Sequence, residues 1–126
     1  MPKRAIMTDK AAPAGGPYSH AVVAGDTTYL AGAVPALPDG TRVTGSFAEQ
    51  AHAAFRNLAA TAEAAGASLD QAVRVGAYLR DFDDFAEFNE IYRQYITGDN
   101  LPVRTTLPVP GLSFDIEIDA VLYTGA

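Results

Sequence analysis

Residues 46–79, SFAEQAHAAFRNLAATAEAAGASLDQAVRVGAYL, decide the fold. Ser46 and Glu49 have the spacing of a capping box, in which hydroxyl and carboxylate satisfy two amides that the first helical turn leaves without partners. Phe47, Ala51, Ala54, Phe55, Leu58, Ala62 and Ala65 then recur at three- and four-residue steps, which predicts a helix with one apolar stripe. Its many alanines let it lie close on a sheet, and Gly66 stands where a left-handed C-cap belongs. Val73, Val75, Ala77 and Leu79 alternate with Arg74, Gly76 and Tyr78, the two-residue period of a strand with one face buried.

Working outward, a second helix follows, with Asp84 as N-cap, Glu87 three residues on, Phe85, Phe88, Ile91, Tyr92 and Tyr95 as its stripe, and Gly98 as its stop. Val103–Leu107, between Pro102 and Pro108, predicts a short strand, and Phe114–Tyr123 a longer one. Toward the N-terminus, YSHAVVA and TTYLAGAV flank Gly25-Asp26 as a hairpin. The usual Asp-Gly order is reversed there. PALPDGT (35–41) is a loop leading into a short strand near residues 42–44. Residues 1–16 end in AAPAGG and are expected to form a loosely held arm.

These elements imply one α+β domain over residues 1–126, a small mixed sheet with two helices on one face. The other face is left bare, which in so short a chain marks an oligomer interface.

The composition narrows the function. In 126 residues there is no Cys, hence no disulfide framework, thiolate nucleophile or Cys-ligated metal. Fifteen acidic against nine basic residues give a net charge of −6, which repels phosphate backbones and anionic lipid. No apolar run nears the roughly 18 residues of a membrane span, and MPKRAIMTDK has no apolar segment of a targeting signal. The expected partners thus include neither nucleic acid nor membrane, and the expected location is the cytoplasm. His20 and His52 lack a second ligand at i+4. No metal is expected, His52 reads as a solvated helix position, and His20 as a rim or interface residue. Nucleotide-binding and hydrolase-elbow motifs are missing, so an enzyme of this sequence would work without a cofactor.

Two features can carry chemistry. In FDIEIDA (114–120) strict alternation puts Asp115, Glu117 and Asp119 on one face, where like charges raise one another's pKa. They are either a solvent-facing acidic ladder or part of a site with a cation nearby. Arg104, in LPVRTTLPVP, is a candidate cation on a stiff strand, its fork matched to a carboxylate. It either grips a ligand or pairs with one of those acids.

At these residues the sequence resembles the RidA (YjgF) family of reactive-intermediate deaminases. GPYSHAV (16–22), LAGAVP (30–35), AAG (64–66), the D-x-x-D-F-x-x-x-N-x-x-Y of 81–92, PVR (102–104) and IEIDA (116–120) fall in family order. The resemblance implies a chorismate-mutase-like fold and a homotrimer whose sheets pack into a central barrel, with sites between subunits. It also implies cofactor-free hydrolysis of enamines and imines, such as 2-aminoacrylate, to a keto acid and ammonia, as in 2-iminobutanoate/2-iminopropanoate deaminases. Carried onto this chain, Arg104 grips the substrate carboxylate and Glu117 orients the attacking water, with Asp119 as the second acid. Tyr18 lines the pocket, Gly32 offers backbone contact and Asn89 supports the walls.

The chain departs from the family pattern at three places. Ala31-Gly32-Ala33 replaces S-G-Q, Thr106 stands where a cysteine is common, and the segment from Arg104 to Glu117 is about two residues shorter. They point to a more apolar or bulkier imino acid. An alternative function is a regulatory trimer that binds a small carboxylic acid without turnover. A third, ribonuclease or translation inhibitor, is opposed by the charge and by the lack of a basic cluster with interleaved aromatics.

Overall fold

The Ser46 capping box forms in full. Ser46 Oγ accepts from the Glu49 amide at 3.2 Å, and the Glu49 carboxylate accepts from the Ser46 amide at 3.5 Å. The helix it opens, α1 (Phe47–Ala64), buries Ala51, Ala54, Phe55, Leu58 and Ala62 completely. It ends as predicted, with Gly66 at a φ of 77°, a conformation that costs glycine little. The structure, a computed structural model, describes residues 2–125.

Six strands make one mixed sheet: β1 (Arg4–Ile6), β2 (Ala21–Ala24), β3 (Thr27–Ala33), β4 (Ala72–Leu79), β5 (Val103–Pro108) and β6 (Ile116–Tyr123), in the order β1-β2-β3-β6-β4-β5. Only β4 and β5 run parallel. Their crossover contains α2 (Phe85–Tyr95), since a parallel connection has to cross over the sheet. The last strand fills the gap between the N-terminal hairpin strands and β4. Against β3 and β6 packs α1, and α2 packs against α1. Phe55 stacks on Phe88 and Tyr95, with centroids 6.3 and 4.6 Å away. The two helices cover one face of the sheet, as the α+β reading expects, and Val75, Ala77, Leu79, Ile116, Ile118 and Leu122 point into the core beneath them.

The hairpin turns at Gly25-Asp26, with Ala24 opposite Thr27 and Gly25 at a φ of 60°. Two local expectations in the connections need correction. Residues 42–44 form no strand; a single bridge joins Ala36 and Arg42. Asp84 makes no side-chain cap. A short 3-10 turn, Phe82–Asp84, capped by Asp81, leads into α2 instead.

The N-terminal residues are not a loose arm over their length. Arg4–Ile6 pairs with β2, and Ile6 and Ala11 are buried. His20, itself 8% exposed, accepts from the Thr8 amide at 3.3 Å and bonds the Ala12 carbonyl at 2.8 Å. Asn57 on α1 accepts from the Ala12 amide and donates to the Val34 and Ala36 carbonyls. His20 therefore ties down backbone rather than sitting at a rim, and the side chains that hold the arm come from elsewhere in the fold. His52 is likewise engaged, with Nδ1 2.6 Å from the Tyr95 hydroxyl.

Candidate functional site between carboxylate and guanidinium

The acidic run divides once the partners are in place. Asp115, just before β6, leaves the ladder: its carboxylate accepts from Gln50 of α1 at 3.1 Å and pairs with Arg80. Asp119 pairs with Arg74 at 3.3 Å and accepts from the Tyr78 hydroxyl at 3.0 Å. Glu117, between them, has no hydrogen bond or ion pair among the described residues. The ladder reading thus fits neither Asp115 nor Glu117.

Glu117 is half-buried on the bare face of the sheet, opposite Tyr78 on β4. Gly32 on β3 makes room for it, because a Cβ at position 32 would run into the Glu117 carboxylate. Burial raises the Glu117 pKa above the ordinary carboxylate range, and the neighbouring Asp119 charge raises it further. Unpaired and partly dry, the group is set to accept a hydrogen bond or a proton.

Arg104 is held differently. Its strand partner is Val75, a core residue, so Arg104 lies on the helix side of the sheet. The guanidinium carbon sits 4.7 Å from the Tyr92 ring centroid, 5.1 Å from Phe88 and 5.7 Å from Phe85. The face of α2 cradles the cation through its ring quadrupoles and leaves its hydrogen-bonding edge uncommitted. No acid pairs with it among the described residues, so the structural ion pair considered from sequence does not form. Asn89, Tyr92, Arg93, Ile96 and Leu101 surround it in a cavity of about 330 Å³. Thr106, two residues along β5, has a buried hydroxyl oxygen without a hydrogen-bond partner.

The residues expected in one site therefore form two groups within one chain. Arg104, Thr106 and Asn89 gather beneath α2. Glu117 meets Gly32 on the other face, and Gly32 and Tyr18 line a second, small cavity with Ala31, Ala33, His20 and Asn57. The Tyr18 hydroxyl accepts from the Gly15 amide at 3.0 Å. Through the strand pairings, Glu117 lies opposite Tyr78, which lies opposite Leu107, three residues beyond Arg104. At strand spacings this separates the two backbones by roughly 14 Å, with the side chains on opposite faces. One chain does not bring them together.

Several supporting residues escape sequence reasoning. Gln50, Arg74 and Arg80 decide which acid stays free. Gln50 and Asn57 do leave a signal, as polar side chains buried on a helix that packs on the sheet. Among the described residues no three His, Asp or Glu side chains converge as a metal set, and no helix is long and apolar enough to cross a membrane.

Known proteins share this arrangement of elements. The sequence model of the family described as endoribonuclease L-PSP matches residues 8–124. A RutC family protein of Pyrococcus abyssi is 40% identical, covering 98% of both chains. Human 2-iminobutanoate/2-iminopropanoate deaminase is 39% identical over 98% of this chain and 91% of its own length. The crystal structure of RidA from an Antarctic Psychrobacter superposes with a TM-score of 0.88 at 36% identity, covering 95% of this chain and 98% of that one. With a match over nearly its whole length and relatives well above 30% identity, the chain belongs to the YjgF/RidA family, whose model carries the endoribonuclease L-PSP description.

Proposed function

We propose that this protein hydrolyses reactive enamine and imine intermediates of the 2-aminoacrylate kind to a keto acid and ammonia, without a cofactor, in sites formed between copies of the chain in a homotrimer. The observation that carries this reading is the free carboxylate of Glu117: its two acidic neighbours are each pinned by an arginine, and it alone is left to hold a water. Relatives named 2-iminobutanoate/2-iminopropanoate deaminase support the same chemistry.

In the proposed reaction the terminal carbon of an enamine first takes a proton from water, which gives the iminium form, R–C(=NH2+)–COO−. The Arg104 fork takes the carboxylate in two charge-assisted hydrogen bonds. Water held by Glu117 adds to the imine carbon, with its proton passing to the carboxylate. The amine of the adduct takes that proton back, the C–N bond breaks as the carbonyl forms, and the hydroxyl proton passes through Glu117 to the departing ammonia, so that keto acid and NH4+ leave. The imine carbon is already electrophilic, so positioning and one acid–base group suffice.

A second copy is needed to bring Arg104 and Glu117 to one substrate. The bare face offers a surface for it: Tyr29, Val103, Leu107 and Tyr123 are 48% to 70% exposed there, an apolar area that association would cover. Both readings need the Arg104 anchor, and the free Glu117 carboxylate favours turnover over carboxylate binding alone, while the net charge of −6 remains opposed to ribonuclease action. The test is a coupled assay in which a dehydratase generates 2-aminoacrylate and keto-acid release is timed with and without the protein. Faster release supports the reading, and an unchanged rate at micromolar protein refutes it.

A further inference from the structure

The cavity beside Arg104 contains a second cation that the proposed reaction does not use. Arg93, one residue beyond Tyr92 and one turn beyond Asn89 on α2, lines the same 330 Å³ space. Neither Arg93 nor Arg104 has an ion pair among the described residues, whereas Arg74 and Arg80 do. Among the described residues no acidic side chain lines this cavity, although acids outnumber bases in the chain fifteen to nine. Arg93 is exposed and Arg104 half-buried, and a ligand that answers both cations carries two negative groups.

The wall between them is apolar. Tyr92 and Ile96 are buried, and Leu101 is exposed beside them. Such a wall suits methylenes. Asn89 adds an amide that can donate to a carboxylate or accept from an iminium nitrogen.

We propose that this cavity selects 2-imino and 2-oxo acids with a second carboxylate at the far end of a short aliphatic side chain, with the C1 carboxylate on Arg104 and the distal one on Arg93. The proposal rests on Arg104 as the carboxylate anchor and adds Arg93 as a specificity residue. It takes up the bulkier of the two substrates that the sequence departures suggest. The pathway step it implies is an oxidation or elimination on an acidic amino acid that releases the imine.

The test compares 2-oxoglutarate with 2-oxopentanoate by titration calorimetry on the intact protein. These acids share a five-carbon chain and differ in the terminal carboxylate. We expect 2-oxoglutarate to bind roughly five- to tenfold tighter at low ionic strength, a preference that salt erodes. Arg93→Gln should bring the two affinities within twofold of each other, and Arg93→Lys should keep most of the preference. Equal affinities in the native protein, or a preference that survives Arg93→Gln, overturn the proposal while the anchor stands. Binding of neither acid, or affinities that Arg104→Ala leaves untouched, overturn the anchor and the proposal together.

Discussion

Replacing Arg104 with lysine separates the two things its guanidinium does. Against α2 it lies within 4.7–5.7 Å of three ring centroids, an interaction of about 0.5–2 kcal/mol that depends on solvent access. Lysine keeps a positive charge over the rings and loses the flat stacking, so the fold should lose about 0.5–1 kcal/mol and melt roughly 2–5 °C lower. No acid among the described residues pairs with Arg104, so the 3–5 kcal/mol penalty of a stranded buried charge does not arise. Toward a bound carboxylate the loss is larger. Two parallel charge-assisted bonds become one, at about 1.5–3 kcal/mol, or roughly 10- to 150-fold in affinity. Calorimetric binding of 2-oxobutanoate and thermal melting on the same samples give both quantities. Affinity within threefold of the native protein, with melting lowered by more than about 8 °C, would refute the anchor and return Arg104 to a structural role.

Other substitutions probe the second half of the site. Glu117→Gln should keep keto-acid binding while turnover falls about 10²-fold; unchanged turnover would remove the water-holding role. The same variant should melt higher than the native chain at neutral pH. The raised Glu117 pKa means that the folded protein carries an ionised, half-buried carboxylate at a cost that the unfolded chain does not share. That advantage should shrink as pH falls through the raised folded value and vanish below the ordinary 4.5, where both states are protonated; an advantage that grows on acidification would contradict the sign. Gly32→Ala should displace the flexible end of Glu117, lowering turnover at little cost in melting temperature, and full activity in that variant would argue against the close approach. In light scattering at micromolar protein the particle mass should be three times the 13.2 kDa of the chain; a monomer would remove the shared site.

The helices and the sheet face were legible because their signals are local. A capping box, a stripe at 3.6-residue steps and the alternation in β6 need only neighbours along the chain. Partnership was not legible. FDIEIDA presents three equivalent acids, and only residues from α1, β4 and the turn after β4 show that two are tied and one is free. The prolines around Arg104 announced a stiff strand, but the three rings beneath it come from a helix placed there by the parallel crossover. The N-terminal segment looked loose because small residues give no periodic signal, while His20 and Asn57, which fasten it, act across the fold. Asp84 stands at the N-cap of α2 as its sequence suggests, but the preceding 3-10 turn leaves its side chain without the capping hydrogen bond.

The central claim is that Arg104 of one copy and Glu117 of another serve the same substrate, and mixed trimers test it most directly. Arg104→Ala and Glu117→Gln variants, each inactive alone, are unfolded together in equal amounts, refolded as mixed assemblies and assayed for imine hydrolysis. If each site draws the two residues from different copies, random assembly leaves about one quarter of the sites with both intact, and activity should return to about one quarter of the native value. If both residues served from the same chain, no mixed site would be complete. Activity no higher than that of the two parents, from a mixture shown to have exchanged subunits, would contradict the account.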